Sequence, residues 1–149
     1  SIFQRELASA VGVPVAASSL MQVPMVDAIL PAGQRAGILT ISGSTLTPAH
    51  LEAAGVGEDV PIATTEGGRE VTEARLGDAP ELDIEAARAD TVAAAERLKR
   101  QNPDVGAIVL ECTNMTPYAA DIRAATGVPV YSMVSFVSWF QAGLIPPRW

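Results

Sequence analysis

One cysteine occurs in these 149 residues, and its neighbours give it a chemical position. Cys112 stands in Gly106-Ala107-Ile108-Val109-Leu110-Glu111-Cys112-Thr113-Asn114-Met115-Thr116-Pro117. The run Ala107 to Leu110 is apolar, has β-branched members and is bounded by Gly106 and by polar residues. That is the pattern of a buried strand. Thr116-Pro117 reads as an N-cap followed by proline in the first helical turn. Cys112, Thr113 and Asn114 then occupy the turn between a strand's C-terminal end and a helix N-terminus, the edge where open α/β sheets hold ligands. Unpaired N–H groups there can hold a carboxylate. The same field favours the thiolate, the form that acts as base or nucleophile. The competing reading is a small buried hydrophobe, a common fate of a lone cysteine.

A second polar turn repeats the plan. Arg35 to Ile41 reads as a buried strand, Ser42-Gly43-Ser44-Thr45 follows, and Thr47-Pro48 opens a helix through about Ala54. Hydroxyls in such a turn face a ligand or cap the helix. His50 falls inside that helix and reads as a surface or packing histidine rather than a base. One His and one Cys do not make a zinc site of the usual structural types.

The elements that position these turns alternate. Ile2 to Ala10 reads as a helix that opens without a cap, with Ile2, Phe3 and Leu7 on one side. Val13 to Ala17 reads as a strand ended by Ser18-Ser19, and Met21 to Leu30 holds a helical stretch. Val60 to Thr64 is a short strand, and Thr65-Glu66-Gly67-Gly68 a loop. Arg69 to Leu76 reads as helical and Gly77 to Leu82 as a loop. Asp83 caps a long helix to about Arg100, with Ile84, Ala87, Thr91, Val92, Ala95 and Leu98 as its apolar stripe. Pro117 to Ala125 is helical, Pro129 to Met133 a strand, and Ser135 to Ala142 a helix closed by Gly143. Trp139, Phe140 and Trp149 read as packing groups. Alternating strands and helices imply an α/β fold with a parallel sheet.

Composition bounds the function classes. Length implies one domain or slightly more, and 48% apolar residues suffice for a core. A net charge of −7 with no basic patch argues against nucleic acid as a partner. No apolar run reaches membrane-spanning length, and no basic-then-apolar leader opens the chain. The single cysteine fits a reducing compartment, so a cytoplasmic location is expected.

Two stretches echo each other: Arg5 to Val15 and Asp121 to Val130 both end a helix in Gly-Val-Pro-Val. The echo suggests two related halves, or merely a common exit from helix to strand. Cys112 lies fifteen residues before Gly127, and the same step back from Gly12 falls before Ser1. If the halves are related, the turn matching Cys112 precedes this chain, which then is the later part of a longer protein.

The residues Gly106 to Ala120, Thr126-Gly-Val-Pro-Val130 and Gly37-Ile-Leu-Thr-Ile-Ser-Gly-Ser-Thr45 resemble the aspartate/glutamate racemase superfamily, in order and over nearly the whole chain. The resemblance implies two similar three-layer αβα domains with the active site between them and no cofactor. In two-base members one thiolate removes the proton beside a substrate carboxylate and a second thiol returns one on the opposite face. By resemblance Cys112 is the acid/base of the second domain. Thr113 and Asn114 bind the substrate carboxylate, and Thr40, Ser42, Ser44 and Thr45 line the cleft floor. Residues 1–30 become the tail of a first domain, 34–130 the second domain, and 131–149 a helix and tail packed back on the first.

Two residues depart from the glutamate racemases, which have Gly-Cys-Thr-His where this chain has Glu111-Cys112-Thr113-Asn114. Asn114 does not transfer protons, and strand alternation puts Glu111 on the side opposite Cys112. The implied activity is racemisation of a small carboxylate, an amino acid, by a chain inactive alone that pairs with the first domain or with itself. Enzymes with one cysteine, similar to arylmalonate decarboxylase or maleate isomerase, are the alternative, and a non-catalytic binding protein of the same fold is a third.

Overall fold

Residues 2–67 and 83–148 are described by the computed structural model. At its centre are four parallel strands, β1 (Arg35–Thr40), β2 (Ile62–Thr64), β3 (Val105–Leu110) and β4 (Val130–Tyr131), in the order β2-β1-β3-β4. All six residues of β3 are buried, and five of the six in β1. Their near-continuous apolar sequence follows from burial on both faces, the condition of a central parallel strand.

Helices cover both faces. On one lie α2 (Gln22–Ile29) and α3 (Pro48–Ala53). Leu20, Val23, Val26 and Leu51 pack there against Ala36, Ile38, Ala107 and Val109. On the other lie α4 (Ile84–Gln101) and α5 (Ala119–Thr126). Ala94, Ala95, Leu98 and Ile122 meet Leu39, Val105, Ile108 and Leu110 there. The alternation of strand side chains sorts these two sets. This is the expected three-layer α/β sandwich.

Helix ends follow local chemistry. Asp83 accepts from the N–H groups of Glu85 and Ala86 to start α4. Thr47 and His50 form a capping box that starts α3, so the histidine's ring closes a helix end. Gly127 takes φ +72° to end α5, a conformation that only glycine adopts cheaply.

The structure differs from the sequence reading in four places. Val13 to Ala17 is not a strand. The Gln4 side chain of α1 (Gln4–Ala10) donates to Val15 O and accepts from Ala17 N, both at 2.9 Å, and stands where a neighbouring strand would. Gly12, unlike Gly127, has no positive φ, so the two halves of the echo differ in conformation. Gly143 lies inside the last helix, α6 (Met133–Leu144), rather than closing it. The segment after Cys112 is a 3₁₀ helix, Thr113–Tyr118, that takes in Pro117 before α5 begins. The helix expected at 69–76, the loop at 77–82 and Trp149 fall outside the described residues.

Candidate active site

The chain leaves β1 toward β2 on one side, and leaves β3 toward β4 on the other. The winding therefore reverses between β1 and β3. At such a point the connections leaving their C-terminal ends run to opposite sides and border a crevice, the usual ligand position in an open α/β sheet. Adjacent strands lie about 4.8 Å apart, so the turn after Thr40 and the turn after Leu110 flank this crevice as neighbours.

Cys112 ends the β3 side. It has extended backbone, φ −87° and ψ 130°, and its carbonyl accepts from Met115 N at 3.1 Å to start the 3₁₀ turn. Its half-buried side chain packs with the cluster on the α4/α5 face. Thr113 and Asn114 follow at the surface. The thiol is thus held by apolar packing on one side and lies beside two exposed polar residues on the other.

Glu111 points the opposite way, as alternation predicts. Its carboxylate accepts from Thr40 Oγ1 at 3.0 Å, which joins the ends of β1 and β3 on the α2/α3 face. Thr40 is only 2% exposed. Its hydroxyl is engaged with a carboxylate of the protein itself.

The β1 turn is likewise organised by a carboxylate. Ser42 Oγ donates to Glu66 Oε1 at 2.5 Å, and Ser44 Oγ to the same oxygen at 2.8 Å. Ser44 N lies 3.5 Å from it. Ser42 first, and then Ser44, hold the Glu66 carboxyl below the usual glutamate range, because both donate to the charged form. Thr64 Oγ1 donates to Ile41 O at 2.7 Å and accepts from Glu66 N at 3.0 Å, so the exit of β2 is laced to the exit of β1. Thr45 Oγ1 turns inward to Ser42 O at 3.2 Å.

The structure therefore brings Cys112, Thr113 and Asn114 to one side of the crevice, and Ser42, Ser44 and Thr45 to the other. Among the described residues, no group of three or more His, Cys, Asp and Glu side chains is placed to hold a metal ion. Sequence reasoning passed over Glu66 as a loop residue. The signal was present, since Thr64-Thr65-Glu66 is again a strand running into a polar turn. Ser19, passed over as a strand end, is fully buried, and its hydroxyl reaches Leu110 O at 2.7 Å and Glu111 O at 3.0 Å. No short-range pattern announces a contact across 91 residues.

The structure is thus an α/β domain with a parallel sheet covered on both faces and a half-buried thiol at its reversal point. Residues 2–139 match the Asp/Glu/Hydantoin racemase family, and the chain belongs to it. A dimethylsulfoniopropionate lyase from Durusdinium sp. clade D is 32% identical over 148 residues, covering 96% of this chain and 49% of its own. Dimethylsulfoniopropionate lyase 7 from Emiliania huxleyi (strain CCMP1516) is 28% identical over 141 residues, covering 89% of this chain and 41% of its own. The crystal structure of allantoin racemase from Pseudomonas fluorescens superposes with a TM-score of 0.58 at 22% identity, covering 84% of this chain and 50% of that one. That likeness is one of fold. The chain spans about half the length, or less, of the curated relatives it matches. No helix among the described residues is long and apolar enough to cross a membrane.

Proposed function

We propose that this chain carries the proton-transfer half of a cofactor-independent enzyme that acts on the carbon next to a carboxylate. Cys112 is the base or acid, and its place at the reversal point of the sheet is the observation that supports this reading. Thr113 and Asn114, exposed beside the thiol, hold the substrate carboxylate. Ser42, Ser44, Thr45 and Thr40 shape the opposite wall, directly or through Glu66 and Glu111.

The thiolate takes the α-proton, and the electron pair left on carbon delocalises into the carboxylate. Proton return from the opposite face racemises the substrate, an amino acid in the reading the family suggests. The acid for that step belongs to a companion domain, against which α6 packs.

The names of the relatives favour a second fate for the same intermediate. If the β-carbon bears a sulfonium, the electron pair forms the Cα–Cβ double bond and the C–S bond breaks. Neutral sulfide leaves, with an unsaturated acid as the other product.

Both fates begin with one proton, so one experiment tests the common step. The full-length protein carrying this chain is incubated with each of two substrates in D₂O, a chiral amino acid and dimethylsulfoniopropionate. Deuterium at Cα with loss of chirality marks racemisation, and release of sulfide with acrylate marks elimination. Cys112→Ala should cut either rate by about 10²-fold or more, the usual scale for a general base. Turnover unchanged in that variant would end the assignment.

A further inference from the structure

We propose that Ser19 is a positioning residue for the Cys112 turn, acting through the carbonyls of Leu110 and Glu111. Successive carbonyls of an extended strand point to opposite sides. Ser19 Oγ nevertheless lies 2.7 Å from Leu110 O and 3.0 Å from Glu111 O. The two oxygens have been turned toward one hydroxyl, and Ser19 shares its proton between them. The hydroxyl therefore sits where β3 stops being a strand, one residue before the thiol.

The consequence for Cys112 follows from peptide geometry. The Glu111–Cys112 peptide is planar and trans, so its C=O and N–H point in opposite directions. Holding Glu111 O toward Ser19 aims Cys112 N–H away from Ser19. Ser19 belongs to the short 3₁₀ turn Ser19–Met21 that leads into α2, and Leu20 beside it packs on the α2/α3 face. The Cys112 side chain packs on the other face. The Glu111 carbonyl is thereby held to Ser19, while the Cys112 side chain packs into the α4/α5 cluster. Released, that oxygen is free to swing toward the thiol and disfavour the thiolate.

Ser19 is itself braced. Gln22 Nε2 donates to Ser19 O at 3.2 Å and to Ser132 O at 3.0 Å, and Ser135 Oγ lies 3.0 Å from Gln22 Oε1. Ser19, Gln22 and Ser132 are all under 7% exposed. The buried chain of polar groups ties the starts of α2 and α6 to the end of β3. An apolar residue at position 19 would pack as well, but would leave the buried Leu110 carbonyl and the part-buried Glu111 carbonyl unbraced.

The importance of this device for turnover rests on the proton-transfer role of Cys112, but its geometry does not. The test separates the two. Because the chain has one cysteine, alkylation by iodoacetamide reads Cys112 alone. Ser19→Ala should slow alkylation at neutral pH about tenfold, the equivalent of one pKa unit. Ser18→Ala, which removes only the cap on Leu20 N, should leave it within about twofold. Ser19→Thr and Ser19→Val share a shape and differ in the hydroxyl. Thr should keep the wild-type rate and Val should lose it, even if Ala fails to fold. In the full-length enzyme Ser19→Ala should lower kcat about ten- to a hundredfold with KM little changed, since a small misplacement costs rate more than binding. Equal alkylation rates in the Thr and Val variants would overturn the proposal. Slowed alkylation with unaltered turnover would leave the brace standing and remove Cys112 from the reaction.

Discussion

At the scale of single residues, the crevice is defined by what its own carboxylates do. Glu66 and Glu111 occupy hydroxyls that the family resemblance had assigned to a substrate. Glu66 gives a clear pH signature. In the unfolded chain it titrates at about 4.3. In the folded chain Ser42 and Ser44 favour the charged form and lower that value. A depressed folded pKa means that the tether is fully present above the unfolded value, and is lost as pH falls through the lower folded one. Carbon-13 NMR of the side-chain carboxyls should find Glu66 titrating below the unconstrained glutamates. Ser42→Ala combined with Ser44→Ala should return it to the ordinary range. A midpoint indifferent to that pair would remove the hydroxyls as its cause. The group is open to solvent, so the effect belongs to the loop and barely touches global stability.

At the scale of elements, much of the frame was legible because strands buried on both faces must be apolar and helix starts must be capped. Arg35–Thr40 and Ile84–Gln101 are cases where pattern and structure agree. Val13 to Ala17 shows the limit. Its apolar run is strand-like, but pairing is a property of neighbours, and the neighbour is a glutamine side chain. Ser19 was illegible for the same reason, since a contact across 91 residues leaves no local period. Close packing between elements was also hidden. Gly37 in β1 faces α4, and a Cβ there would lie 2.9 Å from Leu98 Cδ2 and 3.2 Å from Val105 Cγ1. Gly37→Ala should therefore overpack the sheet–helix contact and cost about 1–3 kcal/mol. Leu98→Ala, at a fully buried position, should cost about 2–5 kcal/mol. The double variant should cost less than the sum, because the lost leucine methyls vacate the space that the alanine needs. Urea unfolding of the four proteins measures this, and strict additivity would show that the strand shifts instead.

At the scale of the whole molecule, the sheet and its two helical layers account for the core but leave α6 unexplained. Its twelve residues include no charged side chain, and only Phe136 among them is buried. Trp139 stacks on Phe136 at 5.8 Å and is itself 58% exposed. With Met25 and Ile29 of α2 it borders an apolar hollow of about 290 Å³. A helix that is apolar nearly all round normally ends up covered, and contiguous exposed patches of this kind mark interfaces. The 149-residue chain alone should therefore self-associate through α6. Opposing this is a net charge of −7, which makes two copies repel. Salt at about 0.1 M screens such repulsion beyond about 10 Å and leaves apolar contact untouched. Association should accordingly strengthen with ionic strength, the reverse of an interface held by ion pairs. Sedimentation velocity should show a mass rising above 15.5 kDa with protein and salt concentration, and Val137→Gln with Trp139→Gln should restore the monomer. A chain that stays at the monomer mass throughout, or one that dissociates on adding salt, would show that α6 is not the adhesive face.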